Sequence, residues 1–102
     1  MAEADPETLR HFSREMGITH AEFIRSLPPA VQGYAYTVSG DTITVDGPQG
    51  PIVIRLGPQG ERQIGLLRLP QTRVDFAFDD YAGETIHKFM SRFDLAFRRG
   101  GG

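Results

Sequence analysis

The sequence contains no cysteine. Disulfides, thiolate nucleophiles and cysteine-ligated zinc or iron–sulfur centres are therefore excluded. Lysine is nearly absent too: Lys88 is the only one, against ten arginines. That bias reads as GC-rich coding, expected of a bacterial genome, rather than as selection for guanidinium forks. No stretch approaches the ~18 consecutive apolar residues of a membrane-spanning helix. The opening, Met1-Ala2-Glu3-Ala4-Asp5-Pro6-Glu7, is acidic. It lacks the basic region and apolar run of a secretory signal. The expectation is a cytoplasmic protein with no membrane contact. A net charge of −2 supplies no global basic field for nucleic acid or anionic lipid.

What is present suits one small globule. Of 102 residues, 39% are hydrophobic and 24% charged, a mix that argues against a disordered chain. A single domain over residues 1–102 is expected, with 1–5 and 100–102 flexible. Ordering each residue's backbone costs roughly 1–2 kcal/mol. With no cross-link, apolar patterning has to offset that cost.

The N-terminal part carries helix punctuation. Asp5, Pro6 and Glu7 suit a first turn. Leu9, Phe12 and Met16 follow at helical spacing, and Gly17 suits the end. Thr19 and Glu22 make a capping box, with Ile18 and Phe23 as its hydrophobic staple. Pro28-Pro29 reads as the stop. Two helices joined by a tight turn are expected within residues 6–27.

From Val31 the apolar period becomes two. Strands are expected around Tyr34–Val38, Thr42–Asp46, Ile52–Leu56, Arg62–Leu69 and Arg73–Phe78. Ser39-Gly40-Asp41, two copies of Gly-Pro-Gln-Gly (47–50 and 57–60) and Pro70-Gln71 read as the intervening turns and breaks. Short turns favour an antiparallel meander. The last segment is an amphipathic helix. Its stripe is Ile86, Phe89, Met90, Phe93, Ala96 and Phe97, and Gly100 is placed as its cap. The predicted fold is therefore α+β: two short N-terminal helices, a five-stranded antiparallel sheet, and a C-terminal helix on one sheet face. That face should hold Ile43, Val45, Ile52, Ile54, Leu56, Ile64, Leu66, Val74, Phe76 and Phe78. The other should hold Thr42, Thr44, Val53, Arg55, Gly65, Leu67, Leu69, Arg73, Asp75 and Ala77. Leu67 and Leu69 make part of this second face too apolar for full exposure. Either the N-terminal helices or another molecule should cover it.

Constellations that carry chemistry are sparse. No H-E-x-x-H, G-x-S-x-G, phosphate loop or dinucleotide fingerprint occurs. His11 and Glu15 sit one helical turn apart, but two ligands do not make a metal site. His87 follows Asp79, Asp80 and Glu84, so a small enzyme with a carboxylate–histidine site is one alternative. Neither a catalytic residue, a metal nor a cofactor is assigned. Phe12 to Leu27 resembles a helix-turn-helix, with Gly17 in the turn, Ile18 after it and Thr19 opening the second helix. The resemblance implies DNA binding as a second alternative, but Ser26-Leu27 places the late aliphatic one position off. The preceding acidic segment also opposes phosphate contacts. Single-stranded nucleic acid on the sheet would use Tyr34 and Tyr36 for stacking and Arg55, Arg62, Arg68 and Arg73 for phosphates. The leading expectation is a small accessory protein acting through protein contacts or self-association. Its assigned binding residues are Arg55, Leu67, Leu69 and Arg73.

Overall fold

A computed structural model of the chain describes residues 10–99. The expected first-turn signals at Asp5–Glu7, the cap at Gly100 and both flexible ends lie outside them. In chain order the elements are β1 (His11–Met16), α1 (His20–Arg25), α2 (Leu27–Ala30), β2 (Tyr36–Ser39), β3 (Thr42–Gly47), β4 (Gly50–Leu56), β5 (Gly60–Ile64), β6 (Leu67–Ala77) and α3 (Gly83–Arg99). The strands are antiparallel in the order β1-β6-β4-β3-β2, with β5 paired to β6 off that path. The α+β class, the antiparallel sheet and the C-terminal helix are as expected. The strand count is six rather than five.

The extra main-sheet strand is β1, which takes residues 11–16 of the first expected helix. Phe12 and Met16 lie four apart, a spacing that fits both one helical turn and two strand repeats. What decides is β6, against which His11 to Met16 pair from Ala77 down to Thr72. This directs Phe12 inward, where its ring stacks on Phe76 at 5.0 Å and Phe78 at 6.0 Å. With residues 11–16 extended, no helix-turn-helix forms over Phe12–Leu27, and among the described residues no N-terminal helix pair lies on the second sheet face. The capping box is present. Thr19 Oγ1 accepts from the Glu22 N–H at 3.1 Å, and the Glu22 carboxylate accepts from the Thr19 N–H at 2.9 Å. Pro28-Pro29 does not stop the helical course. It opens the short α2, because proline fits a first turn whose N–H groups have no helical partner.

The two Gly-Pro-Gln-Gly copies behave differently. The first is a true hairpin turn, closed by the Gly47–Gly50 pair. Tyr81 locks it: its hydroxyl donates to the Gly50 carbonyl at 2.7 Å. A Cβ on Gly47 would fall 2.0 Å from that hydroxyl, so glycine is required by contact. The second copy does not reverse the chain. Leu56 pairs with Val74 and Gly60 with Gln71, so residues 57–59 face only residues 72–73. It is a one-residue bulge in a long strand that runs alongside β6. His20 holds it, with Nε2–H donating to the Gly57 carbonyl at 2.7 Å and the His20 backbone N–H to Gln59 Oε1 at 2.8 Å.

The reversal comes later, at Gly65-Leu66, inside what the sequence suggested was one strand. Gly65 has φ +59°, the value a two-residue hairpin turn needs at its first central position. Pro70-Gln71 does not break β6 either. β1 pairs with β6 only from Thr72 onward, so one side of the strand at Pro70 has no neighbour to need an N–H.

The core lies between the sheet and α3. Ile43, Val45, Ile52, Ile54, Leu56, Val74, Phe76 and Phe78 are buried as expected, facing Ile86, Phe89, Met90, Phe93 and Phe97. Ile64 and Leu66 are exposed instead, because β5, which carries Ile64, and the turn that holds Leu66 leave the main sheet. Phe93 is fully buried, with ring centroids of Phe97, Phe76, Phe23 and Phe89 at 4.7, 5.4, 6.1 and 6.2 Å. Thr72, also buried, donates its hydroxyl to the Ile18 carbonyl at 2.8 Å. Among the described residues, no buried side-chain nitrogen or oxygen lacks a partner. Phe93→Ala should lower stability by about 3–5 kcal/mol, measured by denaturant unfolding; a loss below about 1 kcal/mol would contradict this packing.

Candidate interaction surface

The sheet has a polar side and, beyond its end, an apolar arm. Antiparallel pairs share a face. Ser13, Asp75, Arg55, Thr42 and Ser39 thus form one row across β1, β6, β4, β3 and β2. His11, Ala77, Val53, Thr44 and Thr37 form the next. A shallow basin of about 450 Å³ lies here, lined in part by His11, Ser13, Val53, Arg55, Arg73, Asp75 and Asp79.

The basin's charges are largely engaged with one another. Ser13 donates its hydroxyl to Asp75, and Arg73 donates to Asp75 Oδ1 and to Ser13 Oγ, each at 3.1 Å. The Ser13 hydroxyl holds the Asp75 carboxyl below the usual carboxylate range, with Arg73 and then Arg55 adding to the effect. His11 pairs with Asp79 through Nε2. Both members of that pair are exposed, where such contacts contribute about 0–1 kcal/mol. Ser13 faces a carboxylate and a guanidinium rather than an imidazole, so the serine–histidine pairing that activates a hydroxyl is not formed at Ser13.

Other sequence candidates are dispersed. Asp79 is taken by His11, and Glu84 lies 3.8 Å from Lys88. Among the described residues, no carboxylate bonds the exposed His87. On a strand, His11 and Glu15 stand about 13 Å apart, too far to share a metal. Among the described residues, no group of three metal-ligating side chains occurs. Tyr36 faces the core side, packed against it. Tyr34 lines a separate cavity of about 160 Å³ with Phe78, Phe89, Lys88 and Arg92. Neither offers its ring to the open face for base stacking.

The assigned binding residues fall into two groups along one line. Arg55 pairs across strands with Asp75, so Arg55 and Arg73 meet around that carboxylate. Leu67 and Leu69 lie farther along β6, on the hairpin arm of β5 and the first half of β6. Every residue from Gly60 to Leu69 is exposed. Residues 67, 69, 71 and 73 alternate onto one side of β6. Ile64 opposes Leu67, and Arg62 opposes Leu69. Among the described residues, four of the seven exposed large hydrophobics sit on this arm: Leu66 at 101%, Leu67 at 63%, Ile64 at 51% and Leu69 at 42%.

Sequence reasoning missed Ile64 and Leu66 as surface residues, though Gly65 between them was the available turn signal. It also missed Arg14. On the core side of edge strand β1, Arg14 pairs with Asp94 of α3 and lies 5.9 Å over the Phe12 ring. No short-range pattern links residues so far apart. Among the described residues, no helix is long and apolar enough to cross a membrane.

No family model, curated protein or solved structure matches the chain.

The depressed Asp75 pKa carries a sign. Its contribution to stability is present above the unfolded carboxylate value, about 3.9, and is lost as pH falls through the lower folded value. Ser13→Ala should raise the Asp75 titration midpoint in carboxyl-carbon NMR, and Arg73→Gln should raise it less. An unmoved midpoint in Ser13→Ala would contradict the assigned cause.

Proposed function

We propose that this chain is a protein-binding module whose contact element is the β5–β6 arm, with Arg55 and Arg73 at its base. The carrying observation is the concentration of exposed aliphatic side chains on the arm. Scattered surface apolar residues are ordinary, but a contiguous cluster on a projecting element marks a contact site. The domain's own core makes no use of these side chains, so stability alone does not account for them.

Charge describes the partner. Arg55, Arg62, Arg68 and Arg73 span the arm and its base, with Glu61 as the one acid among them. The fitting occupant is a protein groove that is apolar inside and rimmed by carboxylates. Leu66 and Leu67 would fill the groove and the arginines would meet the rim. Buried aliphatic and arginine contacts of this kind supply affinity at the centre of an interface, while rim charges govern approach and salt dependence.

A photo-reactive residue at position 66 of the full chain, activated in living cells, tests this reading. A discrete protein adduct should form there and not at position 92. The captured protein, once purified, should bind the unmodified chain and lose about tenfold or more in affinity to Leu67→Asp. Arg62→Glu with Arg68→Glu should slow association and flatten its salt dependence. No adduct at position 66, or a purified partner indifferent to Leu67→Asp in a chain of unchanged melting temperature, would overturn the proposal.

A further inference from the structure

Among the described residues, the main sheet and its arm leave four free edges, and they are not alike. The β6 edge beyond β1, Leu67–Gln71, carries Arg68 and Pro70. β1 carries His11, Arg14 and Glu15, and β5 carries Glu61 and Arg62. Charges of this kind guard an edge against pairing with another strand. β2, Tyr36-Thr37-Val38-Ser39, has no charge and no proline, and its path shows no bulge against β3.

The ladder fixes which groups β2 offers. Asp46 N–H donates to the Ala35 carbonyl at 2.8 Å. In an antiparallel pair, bonded and non-bonded residue pairs alternate. Thr37–Thr44 and Ser39–Thr42 are therefore bonded pairs, and Tyr36 and Val38 are not. The next ladder agrees: Leu56 N–H donates to the Asp41 carbonyl at 2.8 Å, which turns the Ile43 and Val45 groups toward β4 and away from β2. The backbone N–H and C=O of Tyr36 and Val38 thus point outward, away from the sheet. The Val38 side chain beside them is 43% exposed.

From this geometry we infer that β2 is a self-association edge, pairing antiparallel with β2 of a second copy. A two-fold axis normal to the sheet requires paired residues to share a face, so only registers with an even residue sum are allowed. One of these sets Thr37 against its own copy and Tyr36 against Val38 of the other chain, twice over. Each Tyr36–Val38 pair exchanges two backbone bonds through the outward groups. Aromatic–β-branched and Thr–Thr pairs are both favourable cross-strand neighbours. No like charges meet anywhere along the strand. The second copy is thus a complementary occupant, and the joined sheet runs through both cores.

A four-residue edge buries far less than the roughly 800 Å² per partner of a standard interface. The dimer is accordingly weak and forms only at high protein concentration. Sedimentation equilibrium of the full chain should show its mass rising toward twice the monomer value with concentration. Thr37→Lys and Thr37→Glu should each remain monomeric at those concentrations with the melting temperature unchanged. An equimolar mixture of the two should recover the dimer, because in this register position 37 meets itself. A wild-type chain that stays monomeric, or a dimer indifferent to both substitutions, overturns the inference. So does a mixture that stays monomeric. A dimer abolished by Leu66→Asp but not by Thr37→Lys assigns association to the arm and also overturns it, leaving the arm's role intact.

Discussion

The fold depends on one aromatic contact set: the Phe93 ring on α3 seated among Phe76, Phe89, Phe97 and Phe23. It joins sheet, C-terminal helix and α1 at one point. Burial of a large side chain contributes about 1.5–3 kcal/mol before entropy is subtracted, and edge-on aromatic packing adds about 0.5–1.5 kcal/mol more. Without a disulfide, few other devices can hold a chain of this size. The peripheral ties serve that centre. Arg14 reaches from β1 to Asp94 on α3, and Thr72 secures the turn after β1 through Ile18.

Much of this centre was legible in the residue order. The stripe from Ile86 to Phe97 fits only a helix, and Ile43 to Leu56 alternates as only a half-buried sheet does. Segments that satisfy two periods were not legible. Phe12 and Met16 suit helix and strand alike, and a partner sixty residues away in sequence, β6, makes the choice. Tertiary pairing there overrides local punctuation. The second Gly-Pro-Gln-Gly shows the same limit, since its composition matches the first while its course depends on whether the flanking strands face each other or share a third.

The candidate surface was legible in part for the same reason. Arg55 and Arg73 were placed on the open side by alternation alone, and their meeting around Asp75 follows from the β4–β6 register. Leu67 and Leu69 stood out as too apolar for an open face. That they stand apart from the main sheet followed only from the turn at Gly65-Leu66. Ser13, the strongest influence on Asp75, comes from a strand that local reading rendered as helix. Surface and core thus use different information, periodicity for the core and long-range register for the surface.

The bulge at residues 57–59 separates two properties that usually change together. A bulge bends its strand and sharpens the local twist, so this one sets the direction in which the arm leaves the sheet. The tip's composition is written elsewhere, in residues 64–69. Losing a single codon in the bulge would restore an unbroken ladder and swing the ribbon to a new heading, with the tip chemistry and the phenylalanine centre untouched. The aim of the projection can therefore drift by insertion and deletion, while its apolar content changes only by substitution.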